Sequence, residues 1–191
     1  MVREARREAR GSPRVGLFVT CLADAMLPSI GSAAIALLEA AGCRVEVQLD
    51  QTCCGQPALD SGDREGARPV AQRTIALLEP FDHVVVPSGS CAAAIRAHYR
   101  ELFNNDPAWH ARAEAVAGCT YELLSYLVDI RGWLPEPVAR SATATYHDSC
   151  SGLREFGIET PPRGCSRVSR ACRCARSKAA RPVVASAARF A

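Results

Sequence analysis

The chain has 191 residues, 48% of them hydrophobic, and a formal net charge of +3, enough for one ordinary domain or two small ones with buried cores. Its charge is segregated: residues 1–14 carry five Arg and two Glu, residues 15–160 ten Arg against 18 acids, and residues 161–191 eight basic side chains and no acid. Nothing in the acidic body advertises a nucleic-acid surface, and the longest apolar runs, 33-AAIALL-38 and 84-VVVP-87, are far too short to span a bilayer.

In chain order, 15-VGLFVTC-21 reads as a buried strand, apolar and rich in β-branched and aromatic residues. The run 29-SIGSAAIALLEAAG-42 predicts a helix with a Ser at its start and a Gly at its stop. A second strand, 44-RVEVQLD-50, alternates with period two and leads into the loop 51-QTCCGQP-57. Residues 63–79 predict a helix that Pro69 starts or kinks. A third strand, 82-DHVVVPS-88, feeds the helix 91-CAAAIRAHYRELF-103, and helical segments over about 107–117 and 120–130 follow. Strands alternating with helices predict an α/β fold, a parallel sheet with flanking helices. At 143-TATYHDSC-150 the pattern of 15-VGLFVTC-21 returns, either as a second copy of the unit or as a further strand of one domain. Residues 164–191 contain no Leu, Ile, Glu or Asp, and are expected to be disordered because they offer too little apolar surface to offset ordering.

The chemistry is to be sought among the ten cysteines. The start, MVREARREARGSPR, lacks the apolar stretch of a secretory signal, so a cytoplasmic protein with reduced thiols is expected. In that setting many cysteines point to metal or redox chemistry. Cys21, the adjacent Cys53 and Cys54, and Cys91 each follow a predicted strand. The carboxyl ends of parallel strands face one crevice, so four thiols should meet there. Adjacent cysteines reach two irons of one cluster more easily than one tetrahedral ion, and Gly55 lets the backbone turn around it. Zinc, whose cysteines are usually two to four residues apart, fits this spacing less well. Small buried thiols packing as hydrophobes, or a vicinal thiol switch, are the other readings. Cys43 and Cys119, beside Gly42 and Gly118 at element ends, read as packing residues.

Cys21, the Cys53-Cys54-Gly55 loop and Cys91 together resemble the cysteine-rich CCG-domain family, which includes the CCG component of heterodisulfide reductase and the iron–sulfur subunits of glycolate oxidase. The stretches 52-TCCGQPALDSGDREGAR-68, 87-PSGSCAAAIRAHY-99 and 146-YHDSCSGLRE-155 look most like the family's lactate-utilisation branch. The resemblance covers about residues 14–163. It implies two CCG-type pseudo-repeats: a basic tail over 1–13, a cluster-binding first repeat over 14–140, an incomplete second repeat over 141–163 and a tail over 164–191. It also implies an iron–sulfur cluster, of four-iron four-sulfur type, held by Cys21, Cys53, Cys54 and Cys91. The reductase pattern has a fifth cysteine where this chain has Ala94, which favours a four-cysteine site. Cys150, preceded by His147 and Asp148, matches the first cysteine of the second repeat. No second CCG follows, since Cys165, Cys172 and Cys174 fall at the wrong spacing. A shift of reading frame near residue 163 accounts for this better than a basic tail made to bind RNA or lipid. The implied role is an electron-transferring oxidoreductase component of an L-lactate-oxidising complex, working with iron–sulfur and companion subunits. Glycolate or another 2-hydroxy acid, an iron-free thiol or metal-binding module, and an inactive remnant are the alternatives. His98 and His110 are expected on solvated helix faces and Asp60 and Asp63 as helix caps. The absence of a GxGxxG or P-loop pattern argues against a nucleotide site.

Overall fold

The structure, a computed structural model, describes residues 12–135, 142–146, 150–157 and 172–176. Four short strands, β1 (Arg14–Leu17), β2 (Arg44–Glu46), β3 (His83–Val86) and β4 (Thr120–Glu122), form a parallel sheet in the order β2-β1-β3-β4. Val15 pairs with Val45 and His83, and Val85 with Tyr121. Placing β1 between β2 and β3 brings the carboxyl ends of all three cysteine-bearing segments to one edge of the sheet.

Both faces of this sheet are covered, as parallel strands require. Alternation along β3 sends Val84 and Val86 into one core with Phe18, Ile75, Ile95 and Tyr99. Val85 enters a second core with Val15, Leu17, Leu38 and Tyr126. Helix α1 (Cys21–Met26) follows β1, and α2 (Ser29–Ala40) supplies the second core. The turn helix α3 (Gln56–Asp60) leads into α4 (Arg64–Leu78), which supplies the first. Asp63 caps α4, its Oδ1 accepting from the Gly66 N–H at 2.9 Å, as expected, and Pro69 is accommodated inside that helix. Asp60 instead accepts from the Gln56 side-chain amide at 3.2 Å.

The segment after β3 is one helical rod with a defect: α5 (Gly89–Ala93), a π-helical turn (Ala94–His98) and α6 (Tyr99–Leu102). Helix α7 (Pro107–Cys119) packs on it and leads to β4. The fourth strand corrects the sequence reading, in which residues 120–130 were helical throughout. Here Thr120–Glu122 join the sheet edge and only then do α8 (Leu123–Ser125) and a second π-helical turn (Tyr126–Ile130) begin. Three residues are too few for a period-two pattern to show. His110 is half-buried, with Nδ1 3.1 Å from the Arg100 carbonyl oxygen.

A separate pair of parallel strands, β5 (Ala142–Tyr146) and β6 (Cys172–Arg176), flanks α9 (Cys150–Phe156) in sequence. Their register repeats that of β1 and β2, with partners thirty residues apart in both pairs: Arg14 with Arg44, and Ala142 with Cys172. The parallel extends to the cysteines. Cys21 opens α1 four residues after Leu17, and Cys150 opens α9 four residues after Tyr146. Within the tail expected to be disordered, Cys172–Arg176 form a strand. Ladder hydrogen bonds come from backbone groups, so a composition argument about side chains does not foresee them. The rest of 164–191, with the 1–11 tail, His147, Asp148 and Cys165, lies outside the described residues.

Candidate functional site

The loop after β2 is held to the sheet edge by three local devices. The Gln51 side-chain amide donates to the Leu17 carbonyl oxygen at 3.1 Å, tying the loop to the end of β1. Gly55 takes a left-handed conformation (φ 77°) and caps α3. An added Cβ would also lie tight against Val70 Cγ1 at 3.3 Å, but it is the left-handed backbone that requires glycine here. The Tyr99 hydroxyl reaches across from α6 and donates to the Cys54 carbonyl oxygen at 2.7 Å. Burial pushes that phenol well above its ordinary value, so it remains a donor.

These devices bring the four predicted cysteines together in two contacting pairs. Cys21, exposed at the start of α1, contacts Cys53, which is half-buried and accepts from the Gly55 N–H at 3.4 Å. Cys54 and Cys91, both buried, contact each other below them. Cys91 lies in the first turn of α5, which Ser88 caps: the Cys91 N–H donates to Ser88 Oγ at 3.5 Å, and the Ser88 and Ser90 hydroxyls are 3.3 Å apart. The Cys91 thiol also lies 4.0 Å from Gln56 Oε1. Among the described residues, no three His, Cys, Asp or Glu side chains close on one point as a single metal ion would need.

Contact between sulfurs sets their acidities apart. Cys91 is lowered to about 7, first by the hydrogen bond it receives from the Cys54 thiol and then by the Ser88 and Ser90 hydroxyls, against the opposing effect of burial. Cys54 is driven the other way, by that same contact and by burial. Cys21 is raised by partial burial of its thiol and by its hydrogen bond with Cys53. Thiolate is thus favoured at Cys91 and disfavoured at Cys54.

Residues 15–96 match the family model of the CCG cysteine-rich domain. The segment that carries Cys21, the Cys53-Cys54-Gly55 loop and Cys91 is thus a CCG cysteine-rich domain. Lactate utilization protein A of Exiguobacterium sp. is 45% identical over 152 residues, which cover 78% of this chain and 62% of that protein. The proteins of the same name from Geobacillus kaustophilus and Shouchella clausii are 41% and 46% identical, over 78% and 71% of this chain and 62% and 56% of theirs. The chain thus spans less than two thirds of the length of these relatives. No solved structure matches it.

All four of its predicted site cysteines and Gly55 lie within the matched CCG domain, and Cys150 lies beyond it. Cys150 is exposed at the start of α9, which packs beside α5 and so next to the helix that carries Cys91. Cys43 is buried in the second core, 3.9 Å from the Tyr126 hydroxyl, and Cys119 lies 3.3 Å from the Val116 carbonyl oxygen. Both are packing residues, as their places beside glycines suggested. Sequence reasoning assigned no role to Gln51, Ser88 or Tyr99. Their signal was proximity: each lies within eight residues of a site cysteine. Ala94, where the reductase pattern has a fifth cysteine, is buried in the first core. Among the described residues, no helix is long and apolar enough to cross a membrane.

Proposed function

We propose that Cys21, Cys53, Cys54 and Cys91 hold an iron–sulfur cluster of four-iron four-sulfur type, and that the chain is an electron-transferring component of a lactate-oxidising system. The observation that carries this reading is the meeting of four thiols from three strand ends in two pairs. A donor set spread over two pairs suits a body with several metal atoms better than one tetrahedral ion. The donor chemistry fits as well, because thiolates are the usual protein ligands of iron–sulfur clusters. When bound, such a cluster accepts and releases single electrons.

The chain's own residues supply the rest. Cys54 and Cys91 are sealed by the first core, which keeps water from the inner side. The Gly55 N–H points to the Cys53 sulfur and the Ser88 and Ser90 hydroxyls to that of Cys91, and hydrogen bonds to sulfur raise a cluster's potential. Cys21 lies on the solvent side, flanked by exposed Leu22, Met26 and Leu27, where a companion protein can approach. The lactate assignment rests on the names of the relatives, and L-lactate to pyruvate is the reaction we assign to the whole system, in the cytoplasm and with iron–sulfur and companion subunits. We read β5, α9 and β6 as a partial second copy of the β1–β2 unit, with Cys150 in the place of Cys21.

The pairwise contacts also favour a second reading, an iron-free dithiol module. Reversible reduction separates the two. Anaerobically reconstituted protein should show visible charge-transfer absorbance that bleaches with dithionite and returns on reoxidation. Protein that stays colourless while its thiols interconvert with disulfides would establish the second reading instead.

A further inference from the structure

The rod that carries Cys91 also carries Tyr99. Cys91 is in the first turn of α5, and Tyr99 opens α6 after the π-helical turn Ala94–His98. Each residue added to a helix turns it by about 100°, so the π-helical turn decides which way Tyr99 faces. It faces the CCG loop, fully buried, with its hydroxyl 2.7 Å from the Cys54 carbonyl oxygen. From the other side α4 braces the same loop: Val70 packs at Gly55, and Thr74 contacts the Tyr99 hydroxyl while its own Oγ1 donates to the Val70 carbonyl oxygen at 2.9 Å. The loop is therefore clamped between two helices at the one peptide that joins Cys54 to Gly55.

We propose that Tyr99 is a positioning residue of the thiol site: by fastening the Cys54 carbonyl to the rod that bears Cys91, it fixes the separation of these two sulfurs and keeps Cys54 closed to solvent. The hydroxyl's hydrogen bond goes to a backbone carbonyl, so its role is to position and not to transfer electrons. Its iron readout rests on the cluster-binding reading; its thiol readout does not.

The test is Tyr99→Phe in the full chain, which keeps the ring in the core and removes only the donor. Tyr126→Phe, at another large buried tyrosine, one that contacts Cys43 in the second core, controls for a general loss of stability. In metal-free protein, alkylation of Cys54 by iodoacetamide, followed by mass spectrometry, is expected to speed up at least about tenfold in Tyr99→Phe, as expected when a bond of roughly 1.4 kcal/mol is lost from a local closure. It should not change in Tyr126→Phe. In reconstituted protein, iron should pass to a chelator faster from Tyr99→Phe than from wild type, and the electron paramagnetic resonance spectrum should shift. Equal Cys54 labelling in Tyr99→Phe and wild type overturns the proposal, as does equal acceleration in both variants. If wild type takes up no iron, the cluster reading fails, while the labelling result still decides the role of Tyr99.

Discussion

A chain carrying Cys53→Ser and Cys54→Ser, reconstituted anaerobically beside wild type, is expected to lose essentially all of its bound iron. The two residues contribute one member to each contacting pair, Cys53 to Cys21 and Cys54 to Cys91, so the double change leaves two isolated thiols. Hydroxyl oxygen is a poor ligand for iron in such clusters, where thiolate is the rule. The fold should survive, because serine is close to cysteine in size, although Cys54 is buried and an unpaired hydroxyl there costs about 1–3 kcal/mol. Cys119→Ser is the matched control. Its sulfur is near the Val116 carbonyl oxygen, which a hydroxyl can use as acceptor, and iron content should stay at the wild-type level. Iron retained by the double variant would move the site away from the CCG loop.

The second large effect concerns the sheet that presents the loop. Gly16 lies in the middle of β1, between Glu46 on β2 and Val84 on β3, and the ring of buried Phe81 lies directly over it. An added Cβ would come within 2.7 Å of Phe81 Cγ, and neither the strand nor a buried ring can retreat cheaply. Gly16→Val should therefore destabilise the protein by about 1–3 kcal/mol or more, the usual cost of overpacking. Urea unfolding checks the magnitude, and a double-mutant cycle checks the cause. Phe81→Ala alone should cost about 3–5 kcal/mol, but Gly16→Val should cost much less in its presence. Strict additivity of the two changes would show that the ring is not what excludes a side chain at this position.

The parts of this architecture that were legible in the sequence are those written in local pattern. β1 and β3 announced themselves as short apolar runs, α2 as a run with a start and stop signal, and α4 and α7 as helical segments. The cysteines could be placed together because each follows a strand, and parallel topology does the gathering. β4 was hidden, because Thr120–Glu122 is shorter than one full alternation and adjoins helix on both sides. The pairing of β5 with β6 was hidden for another reason, since 172-CRCAR-176 has no apolar face to betray a strand. The π-helical turn left no readable mark in 94-AIRAH-98, and with it went the orientation of Tyr99. Which thiol contacts which was likewise beyond sequence, because the Cys21–Cys53 and Cys54–Cys91 contacts depend on loop geometry that Gln51, Gly55 and Tyr99 impose together.

Acid-labile sulfide, measured with iron on the same anaerobically reconstituted sample of the unaltered chain, tests the central claim most directly. Sulfide is the component that a cluster contains and a bound ion does not. The account predicts iron and sulfide in equal amounts, about four of each per chain for a four-iron four-sulfur cluster. Iron or zinc bound without sulfide, or neither metal nor sulfide bound, would contradict it.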